Sequence, residues 1–483
     1  MSYPAYPECK DPGVRWLGEV PKHWEIAPLK SQTSYNDEVL SEKTPEDFLL
    51  QYVEIADVDS TEGIVRSTEY PFAQAPSRAR RVVRDGDVLI STVRTYLRAI
   101  APVQTPPKNM VASTGFAVVR PSSDGLSGGF LGYLLRAEWL ISEIISRSVG
   151  VSYPAIGASE LMGLKAPVPS PAEQTQIARF LDHQTARIDA LIAEQQRLIE
   201  LLKEKRQAVV SHAVTKGLDP DVAMKDSGVE WLGKVPAHWE VSQAKYLAAP
   251  GTSITYGIVQ AGPEYPGGIS YIRTSDMSGE ELPIEGYAHT SPEIDRSYQR
   301  SKVKADDIIV AIRATIGKCL LVPHELEGAN LTQGTAKISP RPDTRERFLL
   351  NYLKSTNVQT YFSSKAKGAT FKEITLDVLR RTPVLIPPVQ EQVEIEHFAR
   401  EHSCDLSSLI DTGFKAISLL RERRSALISA AVTGKIDVRD WEPPVSETFP
   451  RFTANEKSVG MSPMHRLRLM VYNGVSSMNQ GRA

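Results

Sequence analysis

Two stretches of the chain carry the same helical pattern of apolar positions. In each, apolar residues recur at spacings of three, four and seven with polar residues between them, which is typical of a helix with a narrow apolar seam. The first stretch runs from Pro169 to about Thr215, and the stretch from Pro387 aligns with it without a gap. The predicted seam of the first copy consists of Ile177, Leu181, Ile188, Leu191, Leu198, Leu202 and Val209. About forty helical residues form a rod of roughly 60 Å, and we expect the second copy to cover its seam.

A second repeat is rich in tryptophan. The segment DPGVRWLGEVPKHWEIAPLK, which begins at Asp11, recurs as DSGVEWLGKVPAHWEVSQAK from Asp226. The tryptophans that fall in register are Trp16, Trp24, Trp231 and Trp239. We interpret both segments as turn-rich structural blocks whose tryptophans pack on a domain.

Between each tryptophan block and its helix lies a globular segment whose sequence differs between the two copies. Short β-like runs such as QYVEIADV alternate with turn signals, and a helical stretch follows near the end. Asp87 aligns with Asp307, and Arg94 aligns with Arg313. This shared frame predicts one α+β fold that is used twice with different surface residues.

The predicted divisions of the chain follow from these repeats. They are an N-terminal Trp-rich block over 1–29, a globular domain over 30–168, a long helix plus the second Trp-rich block over 169–244, a second globular domain over 245–386, a second long helix over 387–441 and a flexible tail over 442–483. If a pseudo-two-fold axis relates the halves, we expect the N-terminal Trp block to lie beside the end of the second helix.

Composition excludes several classes of protein. Hydrophobic residues make up 41 % of the chain and aromatic residues 7 %, as in an ordinary globular protein. No apolar run approaches the length needed to cross a membrane, and the N-terminus lacks the pattern of a signal peptide. Cys9, Cys319 and Cys404 are odd in number and far apart, which argues against a disulfide framework. We therefore expect a protein of the reducing cytoplasm.

The formal net charge of −2 gives no global hint of nucleic-acid binding, but basic residues cluster at matching places in the two halves. From Tyr70 to Arg120 there are eight basic residues against two acidic ones, and from Arg296 to Lys318 six against two. Lysine and arginine neutralise phosphates, and arginine also reads guanine edges. The candidate DNA contacts are Arg78, Arg80, Arg81, Arg84, Arg94, Tyr96, Arg98, Arg296, Arg300, Lys302, Lys304, Arg313 and Lys318.

No catalytic, cofactor or metal site is predicted. The segment GVEWLGKV has the glycine and lysine spacing of a phosphate-binding loop, but Val235 replaces the hydroxyl residue that would hold magnesium, and the first copy has Glu19 at the lysine position. A methyltransferase would need a glycine-rich turn and an (Asn/Asp/Ser)-Pro-Pro-aromatic loop, which we do not find. The carboxylates that precede predicted strands are Asp85, Asp87, Asp306 and Asp307. We interpret them as turn formers rather than as a nuclease metal pair.

The combination of WLGxxPxHW blocks, duplicated variable segments and the helix starts PSPAEQTQIARFLD and IPPVQEQVEIEHFA resembles the specificity subunits of type I restriction-modification systems. The resemblance covers about residues 11–441. It implies two similar α/β target-recognition domains, each reading half of a bipartite asymmetric DNA sequence. Two long antiparallel helices, conserved in that family, would hold these domains apart.

The resemblance also implies partners. These are double-stranded DNA, two modification subunits that use S-adenosylmethionine to methylate adenine, and ATP- and magnesium-dependent restriction subunits. The chain itself would be a non-catalytic recognition subunit. The exposed helix faces are candidate docking sites for the modification subunits, and their candidate residues are Arg179, Arg187 and Glu194.

Two other classes of function stay open at the level of sequence. One is a helical scaffold for protein partners that reads no DNA. The other is a stand-alone methyltransferase or nuclease whose motifs have degenerated. Weakened, salt-sensitive DNA binding after reversal of the Arg78–Arg84 charges would separate DNA recognition from the scaffold.

Overall fold

A computed structural model describes residues 3–122, 124–368 and 372–444. Strands of the first half are β1 (Cys9–Lys10), β2 (Val20–Pro21), β3 (Glu25–Pro28), β4 (Thr33–Tyr35), β5 (Leu49–Val53), β6 (Val58–Asp59), β7 (Gly63–Ile64), β8 (Thr68–Pro71), β9 (Ala79–Val82), β10 (Val88–Ser91), β11 (Ile100–Pro102), β12 (Met110–Ser113), β13 (Phe116–Pro121) and β14 (Lys165–Val168). Strands of the second half are β15 (Met224–Asp226), β16 (Lys234–Pro236), β17 (Glu240–Gln243), β18 (Thr255–Tyr256), β19 (Ile269–Ile272), β20 (Ala288–Thr290), β21 (Ile308–Ala311), β22 (Cys319–Leu321), β23 (Asn330–Leu331), β24 (Thr335–Ile338) and β25 (Pro383–Ile386).

The helices repeat in the same way. They are α1 (Gly128–Leu135), α2 (Glu138–Arg147), α3 (Ala158–Met162), α4 (Pro171–Lys216), α5 (Pro292–Ser297), α6 (Glu346–Lys354), α7 (Thr356–Lys365), α8 (Leu376–Arg380) and α9 (Val389–Val432). Among the helices described, none has a stretch both long and apolar enough to span a membrane. The three cysteines carry free thiols.

The two halves share one sheet topology, which confirms the predicted α+β repeat. The sheet β11-β10-β13-β4 of the first half corresponds to β22-β21-β24-β18 of the second. The sheet β8-β5-β12-β9 corresponds to β20-β19-β23, in which β19 and β23 pair in parallel as β5 and β12 do. In each half the last strand of the tryptophan block pairs with the strand that leads into the long helix, β3 with β14 and β17 with β25. This pairing brings the two ends of each globular segment together at the helix start.

The start of α4 is defined by local sequence and by the tryptophan block. The Ser170 hydroxyl accepts the backbone N–H of Glu173, and Pro171 occupies a first-turn position where its missing N–H is not needed. The buried Glu173 carboxylate also accepts hydrogen bonds from His23 Nε2 at 2.8 Å and from the indole N–H of Trp24 at 3.3 Å. One carboxylate therefore joins the helix start to the tryptophan block.

The second half repeats this junction. Glu391, in the first turn of α9, accepts hydrogen bonds from His238 Nε2 at 2.8 Å and from the Trp239 indole N–H at 2.9 Å. Trp24 and Trp239 are both fully buried, which confirms their interpretation as packing residues. The His-Trp pair of each tryptophan block thus binds a glutamate at the equivalent position of a long helix.

The long helices α4 and α9 pack against each other in antiparallel orientation. Arg206 in the last quarter of α4 binds Ser407 in the first half of α9, whereas Asp189 early in α4 pairs with Arg424 late in α9. Between these contacts, a Cβ added to Gly413 would lie 2.9 Å from the side chain of Ile199, so glycine permits close approach of the helices. At 1.5 Å per residue, 46 residues of α4 form a rod of roughly 69 Å.

The seam between the helices differs in part from the sequence prediction. Ile188 is buried as predicted, together with Ile192, Ile199, Ile410 and Ile417 in one cluster. Leu191 and Leu198 were assigned to the seam, but their side chains are 53 % and 45 % exposed. Each of these leucines is followed directly by an isoleucine, Ile192 or Ile199, and the packing of α9 buries the isoleucine instead. The leucines are left on an outer face of α4.

The two halves close into a ring, as the pseudo-two-fold prediction requires. After α9, Gly434 lies against Pro21 and Trp24 of the first tryptophan block, and after α4, Gly217 lies against Pro236 and Trp239 of the second. The segment that follows α9 also bonds to the N-terminal residues, since the Asp437 backbone N–H donates to the carbonyl of Pro4 at 2.7 Å. Of the predicted flexible tail over 442–483, the part from residue 445 onward lies outside the described residues.

A charge-removing substitution tests the helix-start junction. Burial alone would raise the pKa of Glu173, but hydrogen bonds from His23, Trp24 and Ser170 outweigh it and hold that pKa below its usual value. A depressed carboxyl pKa stabilises the fold above the unfolded-state pKa, and this contribution is lost as the pH falls through the folded-state pKa. We expect Glu173→Gln to reduce stability by about 2 kcal/mol at neutral pH, measured by urea unfolding, and the difference to shrink in acid.

The matched control is Glu204→Gln, at an exposed position of the same helix. It should leave the unfolding midpoint unchanged at both pH values. Equal stability of Glu173→Gln and the parent chain at neutral pH would contradict the role given to this junction.

Candidate nucleic-acid interface

A cleft of about 570 Å³ opens at the C-terminal end of β10 in the first globular domain. We call it the first reading cleft, and its lining residues are Tyr52, Glu54, Ile55, Ala56, Arg78, Val93, Arg94, Ser113 and Tyr153. The strands β5 and β12 run parallel and end here, so Glu54 and Ser113 project from neighbouring strand ends. Three further segments, around Arg78, Arg94 and Tyr153, complete the walls.

The side chains of the first reading cleft are suited to binding bases and phosphates. The Arg94 guanidinium lies 4.6 Å from the ring centre of Tyr153, so the ring holds the charge in place without neutralising it. Burial raises the pKa of Tyr52, and its phenol therefore stays a hydrogen-bond donor at neutral pH. The exposed Glu54 adds an acceptor. Such a set combines two cations, two aromatic rings and a carboxylate in one cleft.

An exposed apolar loop borders the same cleft. Val149, Val151 and Tyr153 are all strongly exposed, and the loop is closed by a bridge between Val149 and Ala155. The Arg94 backbone N–H donates to the carbonyl of Pro154 at 2.7 Å, which ties this loop to the end of β10. The loop therefore presents apolar side chains next to the free guanidinium.

The second domain places different side chains on the same backbone frame. Strand pairing makes Tyr271 equivalent to Tyr52, so Arg273 follows β19 where Glu54 follows β5. Arg273 forms an ion pair with Asp276 at 2.9 Å. Thr332 likewise stands where Ser113 stands. The frame is shared, but the charge at its edge changes sign.

The predicted equivalence of Arg94 and Arg313 is wrong by one position. Thr92 and Ile312 make the same backbone hydrogen bonds, to Gly115 and Gly334 respectively, so Arg94 corresponds to Ala314. Both of these residues have left-handed backbone, with φ of 51° and 58°. Arg313 stands at the place of Val93, where it pairs with Glu373 at 2.6 Å. The connection to the next strand is one residue shorter in the second domain, which hid the shift in the sequence.

The structure divides the other predicted contacts of the first domain among several surfaces. Arg84 lies at the opposite end of β10 and pairs with Glu38 at 2.6 Å, and Arg80 stacks on the ring of Phe72. Arg81 lies on β9 with its Nε buried, whereas Tyr96 is exposed in the turn after Arg94. A four-residue strand spans roughly 13 Å, so Arg84 and Arg94 do not share one small contact. Arg98 pairs with Glu138 at 2.7 Å.

The second predicted cluster is also spread over more than one surface. Arg300, Lys302 and Lys304 line a cleft of about 490 Å³ near the start of β21, where Lys302 also pairs with Asp295. Arg296 is exposed on α5. Lys318 lines another cleft beside the long helices. Each of these DNA contacts stays a prediction.

Two of the four aspartates before the strands, Asp87 and Asp307, act as turn formers, as predicted. Asp87 accepts the backbone N–H of Arg84 at 2.8 Å, and Asp307 accepts that of Lys304 at 2.9 Å. Each is also bound by a basic side chain of the neighbouring strand, Arg120 or Lys337. The segment resembling a phosphate-binding loop leads into β16 rather than into a helix.

Several residues of the first reading cleft, and Arg273 of the equivalent frame in the second domain, were not singled out by the sequence prediction. Tyr52, Glu54, Ser113, Tyr153 and Arg273 carry no dense basic cluster around them. The signal that could have found them is the alignment of QYVEIADV with SYIRTSDM, in which the frame repeats and the residue after the strand differs.

The candidate docking residues on α4 are all exposed, as a docking face requires. Arg187 and Glu194 lie on one face with the exposed Leu191 and Leu198, at spacings of three and four residues. Arg179 is exposed nearer the helix start. Their contact with a partner stays a prediction.

A comparison with known protein families gives one match in each half of the chain. The family model described as type I restriction modification DNA specificity domain matches residues 77–201 and 259–402. The type I restriction enzyme EcoBI specificity subunit of Escherichia coli is 28 % identical over 301 residues, which cover 61 % of this chain and 63 % of that protein. The putative type I restriction enzyme MjaX specificity subunit of Methanocaldococcus jannaschii is 24 % identical over 441 residues, or 88 % of this chain and 96 % of that one.

One solved structure has a fold similar to that of this chain. It belongs to a study of complex assembly and conformational transition of the type I R-M system, with a TM-score of 0.62 and 22 % identity over 86 % of this chain and 99 % of that one. The fold and the clefts define a protein with two similar globular domains on an antiparallel helical spacer. The chain belongs to the family of proteins that carry the type I restriction modification DNA specificity domain, and it contains that domain twice.

Substitution of Arg94 tests the first reading cleft. Because its guanidinium is held by Tyr153 and has no carboxylate partner among the described residues, we expect Arg94→Ala to weaken binding of the recognised duplex by about 1–3 kcal/mol. The loss should concern one half of the recognised sequence only. Fluorescence anisotropy with duplexes altered in either half measures it.

Arg84→Gln is the matched control, because it removes a charge from the other end of β10 that is already paired with Glu38. Equal losses for Arg84→Gln and Arg94→Ala would contradict the assignment of the reading cleft.

Proposed function

We propose that this chain is the DNA sequence-specificity subunit of a type I restriction-modification complex and performs no chemistry itself. Each globular domain reads one half of a bipartite, asymmetric DNA sequence. The adenine to be methylated leaves the duplex and enters the pocket of a modification subunit, since a base within the stack is not accessible to such an enzyme. S-adenosylmethionine, ATP and magnesium are then used by partner subunits.

One observation carries this proposal: the two domains place different side chains on one backbone frame, at the first reading cleft and at the equivalent strand ends of the second domain. Glu54 and Arg94 in the first domain correspond to Arg273 and Ala314 in the second. A carboxylate accepts from the cytosine amino group, whereas arginine donates to guanine. The same fold therefore favours different bases in its two copies, as an asymmetric target requires.

The antiparallel helices support the bipartite form of the target. Each domain packs on the start of one long helix and near the end of the other, so the helix pair sets their separation. The rod of roughly 69 Å is longer than one turn of DNA, which is about 34 Å, and leaves room for base pairs that neither domain reads.

The outer helix faces support docking of two modification subunits. Leu191, Leu198 and Leu201 form an exposed apolar stripe on α4, and Leu409 and Leu419 occupy the places on α9 equivalent to Leu191 and Leu201. Because the stripe occurs once on each helix, it offers one site to each of two identical partners. Arg187 and Glu194 flank it with opposite charges. Restriction subunits complete the complex, which we place in the cytoplasm.

Exchange of one domain tests the proposed function. Replacement of residues 245–386 by the same region of another family member, followed by co-expression with the modification subunit encoded nearest to this chain, should change one half of the methylated motif and preserve the other. Single-molecule sequencing of genomic adenine methylation measures both halves. The reciprocal exchange of residues 30–168 is the control and should alter the other half. Loss or change of both halves in each exchange would contradict independent reading.

Charge insertion into the leucine stripe tests partner docking. Leu191→Asp with Leu198→Asp should weaken co-purification with the modification subunit by about tenfold or more, because the apolar contact is replaced by charge. Val65→Asp, at a similarly exposed place in the first domain, is the control. Unchanged assembly of the double variant would contradict docking on this face.

A further inference from the structure

Each globular domain meets the helix pair in a cleft, and the two clefts occupy equivalent places. The first junction cleft, of about 180 Å³, includes Thr61, Arg98, Ile100, Arg136, Arg424 and Ser425. The second junction cleft, of about 540 Å³, includes Glu280, Gly317, Cys319, Lys354, Arg206 and Gln207 at the matching positions, and Lys318 beside them. The repeat of the chain therefore contains a second pair of sites besides the reading clefts.

The first junction cleft pairs two of its four lining arginines with carboxylates. Arg98 pairs with Glu138 through two hydrogen bonds of 2.7 and 2.9 Å. Arg424 pairs with Asp189 of the other helix at 3.0 Å. Two of its arginines are thereby occupied within the chain.

The second junction cleft lacks both carboxylates. Ser407 stands at the place of Asp189, and Arg206 donates to its hydroxyl at 3.0 Å. Thr356 stands at the place of Glu138. Within the part of the chain that the structure describes, Arg206, Lys318 and Lys354 form no ion pair, and Glu280 is the acidic residue among those that line the cleft.

The three positive charges in the second junction cleft repel each other. Burial lowers the pKa of Lys354, and the nearby Lys318 and Arg206 lower it further, against the opposing effect of Cys319 and Glu280. A bound anion would relieve this repulsion, because a buried charge is costly when it is unpaired. Asp189, which pairs with Arg424 in the first half, shows where such negative charge fits beside Arg206, the equivalent of Arg424.

The position of Lys318 indicates which anion the second junction cleft would bind. The connection from β21 to β22 carries Arg313 at the edge of the second reading frame and Lys318 in the junction cleft. Five residue steps extend over at most about 17 Å, and one strand of DNA carries a phosphate every 3.4 Å along the axis. The junction cleft therefore lies within about five phosphates of bases held by the second domain.

We infer that the second junction cleft binds a phosphodiester of the DNA backbone beside the second half-site, with Arg206, Lys318 and Lys354 supplying the positive charge. The inference rests on the proposed function and adds a site that reads no base. Two arginines of the first junction cleft are already paired with carboxylates, whereas none of these three cations forms an ion pair among the described residues.

The salt dependence of DNA binding tests this site. With the assembled complex and its mapped target duplex, Lys318→Gln should reduce the slope of log K against log salt by about 0.9, the value for one phosphate contact. Ser407→Asp should also reduce the slope, since it gives Arg206 the acid found in the other half without removing a cation. Lys245→Gln, which removes an exposed lysine outside both clefts, is the matched control and should leave the slope unchanged.

A neutral methylphosphonate in place of single phosphates beside the second half-site locates the contact. It should weaken binding by the parent complex and have little effect on Lys318→Gln. Unchanged slopes for both variants would overturn the inference, while a normal methylation motif in the same variants would leave the proposed function intact. Impaired assembly with the modification subunit, without a change in slope, would instead assign the cleft to an acidic segment of that partner and also overturn it. Failure of the parent complex to bind its mapped duplex would count against the proposed function itself.

Discussion

The antiparallel packing of α4 on α9 is the constraint on which the rest of the structure depends. A helix of 46 residues with one apolar seam has no stable environment in water until a second helix covers that seam. Burial of each isoleucine in the seam is worth about 1.5–3 kcal/mol, and the close contact at Gly413 fixes how near the helices approach. The orientation then determines that each globular domain packs against the start of one helix and the end of the other.

The helix starts extend this constraint to the domains. Glu173 and Glu391 each bind the His-Trp pair of a tryptophan block that lies a whole globular domain earlier in the chain. The N-terminal block reaches its place by closing a ring with the end of α9. Both halves share this frame, whereas residues that follow β10 and β21 differ between the halves, as Arg94 and Ala314 show.

Duplication followed by divergence is visible in the charges. At the reading clefts Glu54 is matched by Arg273, and at the junction clefts Asp189 is matched by Ser407. The first domain offers an open cleft with an unpaired Arg94 beside a junction in which two of four arginines are paired. The second offers paired arginines at the reading frame and three unpaired cations at the junction. Two copies of one fold thus make different use of the same positions.

Much of the fold could be predicted from the sequence, because the repeats are long and in register. The ring closure, the buried tryptophans and the paired helices follow from Trp24, Trp239 and the gapless helix alignment. The seam was less accessible, since Leu191 and Ile192 are both apolar and only the packing of α9 selects between them. The reading clefts were harder still, because a one-residue difference in loop length shifted Arg313 away from Arg94. The density of basic residues singled out Arg94 but not Glu54, which strand pairing places in the same cleft.

The most direct test of the account is the pattern of adenine methylation produced by the unaltered chain with its modification subunit. Single-molecule sequencing across a genome should give one asymmetric motif with two specified segments and an unread gap of constant length. The constant gap is the consequence of two domains fixed on one helical spacer. A single contiguous motif, or a gap of variable length, would contradict the claim that the helix pair holds two independent reading domains at a set distance.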